Sequence, residues 1–516
     1  MARTRTKLAA ACVSLALAAV TAEAVVRMLG GYRLQDLSLT RPFTKGPAVE
    51  KDLLGNIDDL TKPLLATLGN GRADLIPAWL STSPPPLPSP KKLAGPLLPQ
   101  RDWLLHYYVL NEVLLRAMWQ KGTGLPMLAG LVLPAQFQTF APPSGSKTPR
   151  YRYPTSCTLP TGLRTNSFGF RGRELSATKP ARTVRIGFVG ASTTVEAHGI
   201  PFSAPELIEH WLMLWAKKNG LDVQFETLNA AREAIQSSDI RAIVQDELLP
   251  LDVDLVVYYE GANQLQPATM QRHVQVNESF TLAEPPDGVV GTFDDAVAAT
   301  SLLDRLALYS ALAERLRNAL RSSGAQPEPQ KPAQQVTLPG FLADNDFPLA
   351  RANEVLECEA IKQDLDAIRL ALAEQGKAFA LCSFAWLAHD FMTTDPVLGR
   401  NIFIQLNRAY WPFRYATVRT LADAQNQFFR AWAKANGAQL IDIAALLPMD
   451  QRLYIDAIHH TELGVRLKAW VMFVQLTQWL ERELAAAKLP SPPTKRPAPL
   501  FHAVQTITPA QLDAGR

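Results

Sequence analysis

Between residues 182 and 485, five short apolar runs alternate with helical stretches, and that alternation restricts the possible folds more than any other feature of the chain. The runs are residues 184–189, 223–228, Leu255–Tyr259, Ala378–Cys382 and 439–443, each of strand length and rich in aliphatic or aromatic residues. Ser203-Ala204-Pro205-Glu206 reads as a capping box that opens a helix over 206–218, and Asn219-Gly220 ends it. Further helices are expected over 238–248, 302–321, 353–374 (closed by Gly376), 418–436 (closed by Gly437) and from Thr461 to about residue 485. A helix between successive strands returns the chain to the same edge, so the strands must run parallel with both faces covered. The expected fold class is therefore α/β, a three-layer α/β/α domain with a parallel five-stranded sheet. Irregular, proline-marked insertions at 264–300, 323–353 and 390–412 enlarge it.

Parallel sheets hold ligands at the carboxyl ends of their strands. Four chemically capable pieces fall after strand-like runs in this chain. Ser192 lies in Gly190-Ala191-Ser192-Thr193-Thr194, Asn229 opens a turn after the second run, and Asn263 ends Gly261-Ala262-Asn263 after the third. Asp456 and His459 follow the fifth, three residues apart, just before the last helix. A serine hydroxyl needs a base to become a nucleophile, and a neutral imidazole at His459 supplies one. Asp456 would hold the other ring nitrogen and fix its tautomer. The Asn263 amide, the Ser192 N–H and a donor from the turn 229–234 would face an oxyanion. Each residue also has an ordinary explanation: Ser192 as a helix cap, Asn263 and Asp456 as turn residues, His459 as an exposed helix-start residue. His460 competes with His459 as the base. The Gly-Lys-Ser/Thr ending of a phosphate loop is missing after Gly190, and the histidines and cysteines lack metal-ligand spacing.

The chain is long enough for more than one domain, at 516 residues. A net charge of +4 with no run of Lys or Arg argues against nucleic acid as a partner. Arg3, Arg5 and Lys7 precede an apolar stretch over 8–26 broken by Ser14, Thr21 and Glu23, so residues 1–29 read as a transmembrane anchor or signal segment. An uncleaved membrane helix is the expectation, with Glu23 near the far interface where Arg27 can pair with it. Cleavage at Ala22-Glu23-Ala24 is the alternative. Either way the remainder lies outside the cytoplasm, on the periplasmic or extracellular side. Residues 30–162 form a Pro-rich linker and accessory helical region, with a proline spacer over 84–99 and a helix over 103–119. Residues 163–487 carry the α/β domain, and 488–516 are a Pro-rich tail expected to be disordered. Cys12 sits within the apolar stretch. Cys157, Cys358 and Cys382 make no disulfide framework, although Cys358 and Cys382 can be neighbours as buried thiols.

In these motifs, residues 165–484 resemble the SGNH (GDSL-like) hydrolase superfamily. Ser192 matches the nucleophile block, Asn263 the glycine-x-asparagine block, and Asp456 with His459 the closing Asp-x-x-His block, which Gly464 and its helix also fit. Thr165-Asn166-Ser167-Phe168-Gly169-Phe170-Arg171-Gly172 is similar to the segment before the first strand in many membrane-anchored members. The resemblance implies a flavodoxin-like fold and ester hydrolysis or acyl transfer with no cofactor and no metal. It implies Ser192, His459 and Asp456 as catalytic, and Asn263, Ser192 and Ala234 as the oxyanion hole. Three positions depart from the pattern: Ala191 stands where aspartate is usual, Ala234 where glycine is expected, and Gln264 where aspartate often follows. The resulting expectation is an exported, membrane-anchored serine esterase acting on an ester or acylated glycan, with O-acetyl groups on polysaccharide as the substrate. An O-acyltransferase on an envelope glycan, or a catalytically eroded glycan-binding or scaffold protein, are the alternatives.

Overall fold

The structure is a computed structural model that describes residues 2–29, 58–86, 138–140, 151–153, 155–156, 158, 163–197, 200–233, 235–264, 302–307, 310–324, 356–388, 415–492 and 504–506. The chain divides into two units. One comprises Met1–Ile57, Gly95–Trp103 and Pro286–Gln335, the other Asp58–Ala94, Leu104–Pro285 and Val336–Arg516.

In the larger unit the expected sheet is present. Strands β1 (Thr183–Gly190), β2 (Gln224–Asn229), β3 (Leu255–Tyr259), β4 (Ala378–Cys382) and β5 (Gln439–Ile441) lie in the order β2-β1-β3-β4-β5. Every neighbouring pair is parallel, with Phe188 opposite Asn229, Gly190 opposite Tyr259 and Cys382 opposite Ile441. That order reverses direction at β1, and the crevice between the carboxyl ends of β1 and β3 is where such sheets bind ligands. β1 and β3 are buried along their whole length because helices cover both faces.

The helices of this unit are α1 (Asp58–Gly69), the single turn α2 (Ser192–Val195), α3 (Ala204–Lys218), α4 (Ser237–Ile243), α5 (Cys358–Ala373), α6 (Tyr415–Asn436), the short α7 (Ile443–Leu446) and α8 (Glu462–Ala485). α3 packs on α8, where Trp211 meets Trp470 edge-on at 5.2 Å and Phe473 at 5.8 Å. α4, α5 and α6 pack in sequence against one another, and Trp432 of α6 stands edge-on to Phe379 of β4 at 5.8 Å. Residues 58–83 lie on α8: Trp79 meets Phe473, Arg72 bonds Thr477 Oγ1 at 3.0 Å, and Arg466 bonds the carbonyls of Leu80 and Thr82.

The capping box is present, with the Ser203 N–H donating to Glu206 Oε2 at 2.7 Å. Other boundaries differ from expectation. α4 stops at Ile243 and continues as a π turn, Val244–Leu248, because Pro250 cannot donate to an α-helical bond beyond it. β5 ends at Ile441, since Ser383 and Arg430 take the Asp442 carboxylate and α7 begins at Ile443. Cys358 and Cys382 are buried free thiols, and burial pushes Cys358 up to about 12. The helix expected over 103–119, most of the proline spacer and most of the Pro-rich tail lie outside the described residues.

The smaller unit contains the helices Ala2–Leu29, Leu302–Ala307 and Ala311–Gly324. The single helix expected over 302–321 is thus two. Ser310 Oγ caps the second by accepting the Ala313 N–H at 3.0 Å. Glu23 accepts from Ala311 N (2.8 Å), Leu312 N (3.0 Å) and Ser310 Oγ (2.7 Å), and pairs with Arg27 at 2.6 Å. The expected N-terminal helix is there, but the expected transmembrane span is not: no helix among the described residues is long and apolar enough to cross a membrane.

Beneath the sheet, Arg185 of β1 is held by Glu226 of β2 at 2.7 Å and by the carbonyls of Leu251 and Ser176, with its guanidinium almost wholly buried. Replacing Arg185 by Met strands the Glu226 carboxylate, so urea unfolding should show a loss of about 3–5 kcal/mol, and the Arg185→Met/Glu226→Met double variant should recover most of it.

Candidate active site

β1 ends on Gly190, where a side chain is impossible. A Cβ there would lie 2.1 Å from the Tyr259 carbonyl and 2.2 Å from Thr194 Oγ1. Glycine therefore lets β1 and β3 close together as the chain turns into α2. The turn is tied on several sides. Thr194 Oγ1 donates to Tyr259 O at 2.8 Å, and Asn229 Nδ2 donates to Thr194 O at 3.0 Å. Lys468 Nζ donates to Thr193 O at 2.6 Å, while Arg171 Nη1 donates to Val195 O at 3.0 Å and Glu196 O at 2.5 Å. These side chains satisfy carbonyls that a one-turn helix cannot satisfy itself. Ser192 begins the turn, half-buried at its rim.

The loop between β5 and α8 delivers the other two groups. Its base is fastened by the Thr461 N–H to Leu453 O (3.0 Å), the Ile455 N–H to His459 O (2.8 Å) and the Leu387 N–H to Ala457 O (2.8 Å). Gly464 allows α8 to sit against it, since a Cβ there would lie 2.0 Å from Leu453 O. Asp456 Oδ1 accepts the backbone N–H groups of Ile458 (2.9 Å) and His459 (2.7 Å), and Oδ2 lies 2.7 Å from His459 Nδ1. The turn-capping and imidazole-orienting roles of Asp456 thus coexist. His459 Nε2 lies 2.8 Å from Ser192 Oγ. Three residues separated by as many as 267 positions form one continuous chain of hydrogen bonds. With Nδ1 facing a carboxylate, the neutral ring keeps its proton there and offers the Nε2 lone pair to the serine.

Burial alone would raise the Asp456 carboxyl. Electrostatic attraction to the His459 ring, the hydrogen bond to it and the two amides outweigh that and hold it below the usual aspartate range. His460, the rival base, is 4% exposed, lies 4.7 Å from the Tyr454 ring, and has no hydrogen bond at either ring nitrogen. Burial, with Lys468 and His459 nearby, drives its pKa well down, so it is a neutral core residue. Asn263 is nearly buried. Its Nδ2 donates to Ile235 O at 2.8 Å, which uses one of its two hydrogens. In the turn after β2 the N–H groups of Ala230, Ala231 and Arg232 bond Phe188 O, Asn229 Oδ1 and Gly190 O, so none of the three is available as an oxyanion donor. Ala234 lies outside the described residues. Asn229 supports the serine turn through its side chain. Gln264 Nε2 bonds Ser237 Oγ at 2.9 Å.

Three contributors escaped the sequence reading. Lys468 is a lone lysine on the buried face of α8, where it pairs with Glu196 at 2.5 Å and lies 4.8 Å over the Tyr259 ring. Arg171 lies inside the 165–172 segment and pairs with Glu206 at 3.0 Å. Glu260, directly after β3, is 1% exposed and accepts the Asn263 N–H at 2.7 Å through Oε1. In each case the signal was a charge set in or beside an apolar run. Among the described residues, no group of three or more His, Cys, Asp or Glu side chains is arranged to hold a metal.

No family model matches the chain, and no curated protein matches it. Solved structures similar to it include a GDSL-like lipase from Bacteroides thetaiotaomicron, 11% identical over 58% of this chain and 88% of that one, with a TM-score of 0.28. The acetyl xylan esterase AlAXEase is 14% identical over 58% and 99%, with a TM-score of 0.29. Axe2, an acetylxylan esterase from Geobacillus stearothermophilus, is 12% identical over 57% and 94%, with a TM-score of 0.29. Likeness at this level leaves the reading of the site to its own geometry.

Burial raises the Glu260 carboxyl from 4.5 to about 7, against the pull of the Asn263, Gly261 and Ala191 amides and of His459. A carboxyl raised on folding costs stability as pH climbs from its unfolded value to its folded one. Glu260→Gln removes that cost. Urea unfolding at about pH 4 and pH 8 should show the variant gaining on the wild type by about 3 kcal/mol at the higher pH.

Proposed function

We propose that this chain is a serine ester hydrolase of the SGNH (GDSL-like) type. The observation that carries the reading is the unbroken relay from Ser192 Oγ through His459 to Asp456, with contacts of 2.8 Å and 2.7 Å, at the carboxyl end of a parallel sheet. In this reading Ser192 Oγ attacks an ester carbonyl while its proton passes to His459 Nε2. Asp456 stabilises the imidazolium from the Nδ1 side. The Ser192 N–H and the second hydrogen of Asn263 Nδ2 stabilise the oxyanion, with the Ala234 N–H as a third donor. The imidazolium then protonates the leaving alcohol. Water, activated by the same imidazole, releases the acid from the acyl-enzyme.

An alanine in place of the usual aspartate before Ser192 does not interrupt this relay, because Ala191 contributes only backbone there. The site therefore favours catalysis over an eroded binding module. The basic residues ahead of the apolar N-terminal stretch support export, with the site outside the cytoplasm. O-acetyl groups on an envelope or exported polysaccharide are the substrate class that this address suggests. A sugar hydroxyl taking the place of water would make the same site an acyltransferase.

The wild type should label with a fluorophosphonate probe and hydrolyse p-nitrophenyl acetate. Ser192→Ala and His459→Ala should abolish both signals. Asp456→Asn should lower kcat by roughly 10⁴-fold, the scale expected when an orienting carboxylate is replaced by its amide. Unlabelled wild-type protein would sink the proposal, whereas acetyl groups recovered on an added glycan acceptor would assign transfer.

A further inference from the structure

We propose that Glu260 is a positioning residue that locks the nucleophile turn to the Asn263 loop, so that serine and oxyanion donor are set by one buried carboxylate. The inference rests on the reading of Ser192 and Asn263 given above. Glu260 is the first residue past β3, and the β1–β3 register sets Gly190 opposite Tyr259, which brings Ala191 alongside Glu260. Oε1 accepts the Asn263 N–H at 2.7 Å, its one well-formed hydrogen bond. The N–H groups of Gly261 and Ala191 approach the same carboxylate and favour its charged form, and so does His459 across the site. Oε2 is buried without a well-formed bond of its own.

A carboxylate this deep is expensive, and an apolar side chain of similar size would cost the fold less. What an apolar residue could not do is accept the Asn263 N–H while lying beside the Ala191 amide of the nucleophile turn. The residue before the nucleophile and the oxyanion asparagine meet at Glu260, so a displacement of either would be felt by the other. The Asn263 side chain is held independently by Ile235 O, so Glu260 acts on that loop through the backbone. The charged form also faces the ring that becomes imidazolium when Ser192 gives up its proton. The ionisable groups that act with it are His459, from the loop before α8, and Tyr258 on its own strand.

The test uses the full-length chain and its Glu260→Gln and Glu260→Asp variants. Rates with p-nitrophenyl acetate and labelling by a fluorophosphonate are read beside the amide resonances of protein carrying ¹⁵N in alanine and asparagine. Glu260→Gln should lower kcat on the order of 100-fold, the penalty of misplacing reacting groups by about 1 Å, and slow labelling in parallel while KM stays nearly constant. Glu260→Asp keeps the charge but cannot reach both loops, and should fall between. In the wild type the Ala191 and Asn263 amides should titrate with one shared midpoint near 7. Folded Glu260→Gln turning over at the wild-type rate overturns the inference. So does the lack of a shared midpoint, which can be read even where a variant fails to fold. Wild-type protein that does not label at all defeats the nucleophile reading and this inference together, an outcome distinct from either of those.

Discussion

The single turn Ser192–Val195 is held from behind, through its carbonyl oxygens. Thr193 O is bonded by Lys468, Thr194 O by Asn229, and Val195 O and Glu196 O by Arg171. An α-helix this short has no internal partner for these groups, and left bare in the core each would cost on the order of 1–3 kcal/mol. Two of the three donors are cations, which also complement the negative end of the turn. Their own charge is compensated in turn: Lys468 by Glu196 at 2.5 Å and Arg171 by Glu206 at 3.0 Å. Because the carbonyl end is fully engaged, the orientation of the turn is set, and Ser192 at its opposite end is left at the rim. The fold on that side follows from this need. α8 must present Lys468, β2 must end on Asn229, and the segment before β1 must bring Arg171 across.

Two carboxylates lie near one imidazole, and their surroundings push them apart. Asp456 receives the ring nitrogen and two amides and stays ionised below the usual range. Glu260 is more deeply buried and is raised to about 7. Environments that separate like groups in this way allow one to serve as a fixed negative partner while the other responds near neutrality. The imidazole is bonded to a committed charge, Asp456, and interacts electrostatically with a responsive one, Glu260. His460, one residue on, is drawn into the core and kept neutral, so two adjacent histidines have entirely different chemistry because one faces Ser192 and the other faces Tyr454.

The sheet was legible because a parallel strand buried on both faces is an uninterrupted apolar run, and 184–189 and Leu255–Tyr259 are such runs. The helix starts were legible where local chemistry marks them, as at Ser203 and Thr461. Less local features were not. The π turn at Val244–Leu248 and the break before Ala311 arise where hydrogen bonds are redirected by a proline or by a carboxylate from a distant helix. The supporting role of Asn229 and the turn after it was not legible for the same reason: the bonds these residues make to Thr194, Phe188 and Gly190 depend on strands that meet only in the folded chain.

Local sequence therefore determined which residues are chemically able to act: a serine after a glycine, a histidine three residues from an aspartate, an asparagine closing a glycine turn. Each signal is short because turn geometry and side-chain chemistry are properties of a few consecutive residues. Tertiary structure alone decided that they converge, by placing β1, β3 and the loop before α8 at one end of the sheet. It also decided which buried charges hold them, because Lys468, Arg171 and Glu260 acquire partners from residues as far as 275 positions away. A charge in an apolar run is an anomaly in sequence. Its partner, and hence its purpose, exists only in three dimensions.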